Sequence, residues 1–329
     1  MPLPLINPPL LNSANPWCSS KEQLQNLYDC EHTGAVTTRT SLLRGFPHNA
    51  QVHQHTFFDP QTHAAAPQPP PDGEAPANSS SSLNTLGYSP IPLEDYLVYI
   101  RDIVSSSLGP RKPFVVSVTG SPEDVKECYR LIKAAHAGMP PGTQLCMEIN
   151  LSCPNIPGKP PPAYSGPALA EYTDLLASER SLAVPIGIKT PPYTYDDQFA
   201  TLIHTLAAAV AATPGSPPPI DFLTATNTLG SCLVLEADGQ PALSSALGQG
   251  IGGLAGASLH PLALGNIKSL RNMLDAVPEL QEIDIIGVGG VGDGAGLKRM
   301  QGVGARWVGV GTALGREGVS VFGRIATSP

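Results

Sequence analysis

The chain has no long hydrophobic run. No apolar segment approaches the roughly 20 residues that span a bilayer, which speaks against a membrane-spanning protein. It has no polybasic arm. Lys and Arg total 19 against 27 acidic residues, and the net charge of −8 disfavours a nucleic-acid or anionic-membrane partner. Six cysteines (Cys18, Cys30, Cys128, Cys146, Cys153, Cys232) fall at irregular intervals and follow neither a disulfide framework nor a metal-ligand spacing. The opening MPLPLINPPLLNSANPW lacks the charged and uninterrupted apolar regions of a signal peptide. Together these absences lead to the expectation of a soluble, reduced, cytoplasmic protein.

What is present is an alternating pattern. Hydrophobic residues make up 41% of 329, enough for a large core, and the length suits a single α/β barrel domain over 1–329. Candidate strands are Pro9–Ala14, Ala35–Thr40, Phe114–Val118, Gln144–Leu151, Pro185–Lys189, Phe222–Thr226, Asp284–Gly287 and Trp307–Val310. Helical periodicity runs through Glu22–Glu31, Leu93–Ser107, Pro122–Ala137, Ala168–Ser178, Gln198–Ala212 and Leu262–Ala276, with Gly294–Gly302 as a seventh. Eight strands in βα alternation favour a closed parallel (β/α)8 TIM barrel over an open sheet. The fourth, QLCMEINLS, mixes apolar and polar residues as a strand facing both lumen and helices does. No shorter internal repeat is present. Asp59–Ser82 breaks the pattern. It is rich in Pro, Ala and Ser, has no large apolar residue, and reads as a disordered insertion or, alternatively, a lid.

Barrel enzymes carry their chemistry at the carboxyl ends of the strands. There this chain places NLSCPN, KTPPY, TNTLG, GVGGVGDG and GVGTALG. Gly289–Gly290 and Gly311–Thr312 follow the seventh and eighth strands, where glycine lets backbone N–H groups approach a phosphate. GVGGVG is not a dinucleotide fingerprint, because no acidic residue follows in a suitable context. Cys153 sits between Asn150 and Asn155 in a loop stiffened by Pro154, as a thiol base or as a buried structural cysteine. Lys189 closes a strand before two prolines, suited to stabilising negative charge or to reaching the surface. Asn84 and Asn227 begin Asn-Thr pairs that either grip a planar polar ring or form turns. The histidines form no convincing metal constellation.

NLSCPNIPGKP resembles the catalytic loop of dihydroorotate dehydrogenases, and its PGKP tail that of the cytosolic, fumarate-using class 1A. LNSANPWC, GAVTTRTS, SLNTLG, IGIKTPPY, TNTLG, GGLAGASLHPLAL, IIGVGG and VGVGTALGREG follow in the family's order. The resemblance implies an FMN-binding barrel in which Cys153 takes a proton from C5 of dihydroorotate while a hydride leaves C6 for the flavin. Quinone-linked relatives use serine there, so Cys153 argues against that class. It implies that Asn84, Asn150, Asn155, Asn227 and Thr228 hold the pyrimidine. Ser13, Ala14, Lys189, Gly256, Gly289, Gly290, Gly311 and Thr312 would meet FMN, together with Asn150. It also implies fumarate as electron acceptor and a homodimer. The family's strand-two lysine, which lies near flavin and substrate, is here Arg39, and the two side chains are not interchangeable. The Asp59–Ser82 insertion precedes Asn84. The chain ends at RIATSP, leaving only a short eighth helix over Gly315–Ile325, so apolar surface on the first and last strands is expected to be exposed. Other readings are a paralogue acting on another cyclic amide or enone, and a non-catalytic FMN-binding remnant. A dihydropyrimidine dehydrogenase domain is disfavoured, since the cysteine-rich stretches for iron–sulfur clusters are missing.

Overall fold

A computed structural model describes residues 4, 6–66, 75–107, 109–156, 158, 160–177 and 179–328. The strands, in chain order, are β1 (Leu10–Asn12), β2 (Val36–Thr37), β3 (His55–Phe58), β4 (Ser81–Asn84), β5 (Phe114–Val118), β6 (Leu145–Asn150), β7 (Ile186–Lys189), β8 (Phe222–Ala225), β9 (Leu229–Cys232), β10 (Gly252–Gly256), β11 (Asp284–Val288) and β12 (Trp307–Val310). The helices are α1 (Lys21–Asp29), α2 (Leu93–Ser106), α3 (Pro122–Ala137), α4 (Gly166–Ala177), α5 (Asp196–Ala212), α6 (His260–Asp275), α7 (Gly294–Gly302), α8 (Thr312–Glu317) and α9 (Ser320–Thr327).

Eight strands form one parallel sheet in the order β1-β12-β11-β8-β7-β6-β5-β2, and a parallel bridge from Leu11 to Ala35 closes the ring. This is the (β/α)8 barrel that the alternating pattern predicts. β6 shows why its sequence reads as mixed. Leu145, Met147 and Ile149 pack into the layer shared with the helices, whereas Cys146 joins a second cluster with Val115, Phe222, Ile286 and Trp307. Glu148, on the same strand face as Cys146, is 2% exposed and accepts hydrogen bonds from Ser117 and Thr224, both at 2.7 Å. One end of the barrel is thus filled by apolar side chains, and polarity rises toward the carboxyl ends.

The helices start where local chemistry permits. Ser20 and Ser121 accept from the backbone N–H groups of Gln23 and Asp124, and Pro122 sits where its missing N–H costs nothing. On α2, Leu93, Tyr96, Leu97, Ile100, Ile103 and Val104 form one buried stripe.

β3, β4, β9 and β10, none of them among the candidate strands, make a second, antiparallel sheet ordered β3-β4-β10-β9. Ser81 and Ser82, inside the segment read as an insertion, begin β4 and pair with Phe58 and Phe57. Asp59 accepts a hydrogen bond from Asn78 at 2.9 Å and so ties the two flanks of that segment together. Residues 67–74 of the segment lie outside the described residues, as do Pro157 and Lys159 of NLSCPNIPGKP and Ser178 at the end of its candidate helix.

One expectation is corrected. The first and last barrel strands are not exposed: Leu10, Val308 and Val310 are each at most 1% accessible. The end of the chain folds as α8 and α9 rather than a single helix, because Gly318 (φ +66°) turns the backbone between them. That turn lets Val321, Phe322 and Ile325 enter the same apolar cluster as Leu10, Val308 and Val310.

Candidate active site

A cavity open to solvent at its mouth lies at the carboxyl ends of the barrel strands beside the antiparallel sheet. Every residue singled out from the sequence lines it: Ser13, Ala14, Arg39, Asn84, Asn150, Cys153, Asn155, Lys189, Asn227, Thr228, Gly256, Gly289, Gly290, Gly311 and Thr312. These come from strand ends and loops spread over most of the chain, and barrel closure makes them neighbours.

The asparagines form two bonded pairs. Asn155 Nδ2 donates to Asn84 Oδ1 and to the Leu86 carbonyl, each at 2.9 Å. Asn84 Nδ2 in turn donates across the antiparallel sheet to the Gly253 carbonyl at 3.2 Å. Asn227 Nδ2 reaches Ser152 Oγ at 2.9 Å and Asn150 Oδ1 at 3.2 Å. Asn150 Nδ2 donates to Thr40 Oγ1 at 3.1 Å, and Thr40 shares a 2.9 Å hydroxyl contact with Ser117. Ser117 rests on Glu148, so a chain of polar contacts runs from the barrel lumen to the cavity.

Cys153 lies between the two pairs and lines the cavity. Burial pushes its thiol up from the ordinary value, opposed by the Asn155 backbone N–H, the Tyr88 hydroxyl and the charge of Lys189. Cys18 and Cys128 are pushed up to about 12, chiefly by burial. Neither belongs to the cavity lining.

Two cations face this space. Lys189 is 4% exposed, and among the described residues no carboxylate pairs with it. A buried lysine without an anion is costly, so an anionic or electron-rich ligand fits beside it. Arg39 donates to the Gly87 carbonyl at 3.2 Å and reaches Ser19 Oγ at 3.5 Å. Burial lowers its affinity for its proton, and it too has no acidic partner among the described residues.

The glycines make a backbone cradle. A Cβ on Gly290 (φ +70°) would lie 2.5 Å from the Gly256 carbonyl oxygen, and one on Gly256 (φ +79°) 2.4 Å from that of Ser80. Side chains are barred at both positions, so the backbone itself forms this wall of the cavity, as a phosphate site requires. His260 Nδ1 contacts the Gly289 carbonyl at 2.7 Å while Arg299 Nε donates to His260 Nε2 at 3.0 Å, which fixes the ring as donor to the glycine loop. Glycine cradle and buried lysine together suit FMN.

The same cavity holds residues that sequence reasoning missed, among them Trp17, His55, Ser82, Tyr88 and Thr226. Tyr88 directly follows SLNTLG and carried that much of a signal. His55 reaches the site only because β3 pairs with β4, opposite Asn84. Trp17 packs edge-on to His55 at 5.3 Å and stacks near Phe57 at 5.7 Å.

A closed parallel barrel with a polar, cation-bearing cavity at its carboxyl ends and a glycine cradle within it is a barrel-enzyme architecture. Residues 63–328 match the family model described as dihydroorotate dehydrogenase. The chain is 29% identical over 323 residues to a protein of Streptococcus pyogenes serotype M3 that carries the provisional name dihydroorotate dehydrogenase A (fumarate), covering 96% of this chain and 86% of the relative. A relative of the same name from Streptococcus uberis is 30% identical over 322 residues, with the same coverage. The ligand-free crystal structure of Eimeria tenella DHODH superimposes with a TM-score of 0.67 over 96% of this chain and 82% of that one, at 17% identity. The chain belongs to the dihydroorotate dehydrogenase family, a family of oxidoreductases.

Proposed function

We propose that the protein oxidises dihydroorotate to orotate in pyrimidine (UMP) biosynthesis, with FMN bound in the cavity and fumarate as electron acceptor. The observation that carries this reading is the meeting of Cys153, the two asparagine pairs and Lys189 on one cavity. The relatives' name supports fumarate.

FMN, when bound, supplies the hydride acceptor. Ser13, Ala14, Asn150, Lys189, Gly256, Gly289, Gly290, Gly311 and Thr312, which line the cavity, would hold it. The amides of Asn84, Asn155, Asn150 and Asn227, with Thr228, present donors and acceptors that match the alternating N–H and C=O groups of a pyrimidine ring. Their mutual hydrogen bonds fix the amide orientations before substrate arrives. Arg39 sets a positive charge beside the anionic substrate and the flavin. Cys153 accepts the C5 proton as a thiolate.

An anaerobic titration tests this. The purified protein is expected to be yellow, to bleach with dihydroorotate and to recover colour with fumarate. A yellow protein that ignores dihydroorotate points to another cyclic amide or enone, a reading that Arg39 in the lysine position favours. In that case Arg39→Lys raises dihydroorotate turnover. A colourless protein that stays apo with added FMN sinks the flavoenzyme reading.

A homodimer belongs to the same proposal. Leu233, Leu235, Leu247 and Ile251 are 47%, 45%, 72% and 43% exposed on the excursion between β9 and β10, an apolar patch that a second copy of the chain would cover. Sedimentation velocity of the wild type against Leu247→Lys reads this directly. The six unpaired cysteines suit a reducing cytoplasm.

A further inference from the structure

Glu148 lies on β6 two residues before Asn150 and is 2% exposed. Neither it nor Ser117 on β5 lines the cavity. Both of its carboxylate oxygens accept hydroxyl protons, Oε1 from Ser117 and Oε2 from Thr224, each at 2.7 Å. The proposed reaction gives this buried acid no part.

The bonds that lead away from it have one consistent set of directions. A hydroxyl has a single proton to donate. Ser117 spends its proton on Glu148, so at its 2.9 Å contact with Thr40 it accepts. Thr40 then has no proton left for Asn150, and it accepts from the amide nitrogen Nδ2 at 3.1 Å. That turns Asn150 Oδ1 to the other side. There it accepts from the Ser152 backbone N–H at 3.2 Å, the Ser152 hydroxyl at 2.8 Å and Asn227 Nδ2 at 3.2 Å. Asn227 is fixed in the same way, because its Oδ1 accepts the Thr228 N–H at 2.8 Å. Reversing either amide sets donor against donor. Without the Ser117 hydroxyl, the Thr40 proton is free to turn to Asn150, and that amide can present either end.

We propose that Glu148 is a positioning residue: through Ser117 and Thr40 it fixes which way round the Asn150 and Asn227 amides stand, and so the pattern of donors and acceptors that a ring ligand meets in the cavity. The inference rests on the reading that these two asparagines hold the pyrimidine, and it names the group that orients them.

The test is a double-mutant cycle on Ser117→Ala and Thr40→Val. Ser117→Ala breaks the chain and leaves the charge of Glu148 in place. One readout is the dissociation constant of orotate, followed through the visible spectrum of the FMN-loaded protein. The other needs no ligand. It is the position of the Asn150 and Asn227 side-chain amide signals in the NMR spectrum of protein labelled with nitrogen-15 asparagine, assigned with Asn150→Asp and Asn227→Asp. Ser117→Ala is expected to weaken orotate binding about tenfold and to move both signals. The Asn84 signal, from an amide bonded to Gly253 and Asn155, stays. In the Thr40→Val background the chain is already broken, and adding Ser117→Ala changes orotate binding by less than about twofold. Glu148→Leu, which accepts nothing, moves the same two signals.

Ser117→Ala signals and orotate affinity that match the wild type overturn the inference. So do losses that multiply across the cycle, the mark of a general loosening of the barrel, and so does a Glu148→Leu protein whose two signals stay in place. If these variants do not fold, Thr40→Val is compared with Thr40→Ser, which keeps the hydroxyl. The signals then move in the first and stay in the second, and equal movement overturns the inference. A wild type that ignores orotate removes the pyrimidine reading, and the amide signals alone judge the role of Glu148.

Discussion

Asn155 Nδ2 lies 2.9 Å from Asn84 Oδ1 and so joins the loop that carries Cys153 to the antiparallel sheet. The same amide also donates to the Leu86 carbonyl. The thiol is therefore held by a contact between two polar side chains and not by packing alone. Asn155→Ala leaves the Asn84 carbonyl oxygen and the Leu86 carbonyl without this donor. A lost hydrogen bond at such a site costs about 1–3 kcal/mol, which is roughly five- to 150-fold in kcat/KM for dihydroorotate if the loss is felt in the transition state. Stopped-flow flavin reduction measures it, and a value within threefold of wild type would show that the pair is dispensable.

Cys153→Ser separates proton abstraction from cofactor binding. FMN is expected to stay bound while reduction by dihydroorotate slows by about 10²–10⁴ near neutral pH, the usual contribution of a positioned base. In the wild type, burial places the thiol above its ordinary value. Thiolate is then the minor form at neutral pH, and its fraction grows as pH rises. Reduction accelerates about tenfold per pH unit until the thiol has titrated. A rate flat with pH from neutral upward removes Cys153 as the base.

Lys189 is buried without an ion partner among the described residues, so its two effects should oppose each other. Lys189→Met removes a poorly solvated charge and raises the melting temperature of the apoprotein. If FMN binds as proposed, it also removes a charge beside the flavin and is expected to weaken FMN binding by about ten- to a hundredfold. Thermal melts with and without FMN, together with a fluorescence titration, read the two effects. A fall in both quantities would mean that the lysine is held by groups other than the ligand.

Phe322 tests the end of the chain. It is fully buried on α9 and shares a cluster with Leu10, Val308 and Val310. Phe322→Ala is expected to cost about 3–5 kcal/mol of stability, measured by urea unfolding. A loss below about 1 kcal/mol would show that α9 is not part of the cooperative fold.

The sequence by itself determined the barrel. Strands such as Phe114–Val118 and Trp307–Val310 are short buried runs, and Pro122–Ala137 announces its start with Ser121 and Pro122; these signals are local, fixed by side-chain period and capping chemistry. The candidate site was legible too, because the strand-end motifs NLSCPN, KTPPY and TNTLG are contiguous in the chain and barrel geometry sends all such ends to one face. Only the tertiary structure decided the rest. β3, β4, β9 and β10 are short, three of them rich in Ser or Gly, and become strands by pairing across long stretches of chain, as when Gly253 meets Asn84. His55 reaches the cavity through that pairing. The burial of Leu10 and Val310 depends on α9 turning back at Gly318. Tyr88 and Cys153 line the same cavity from different loops, and no local spacing encodes their meeting, because the geometry that brings them together is set by the closure of the barrel.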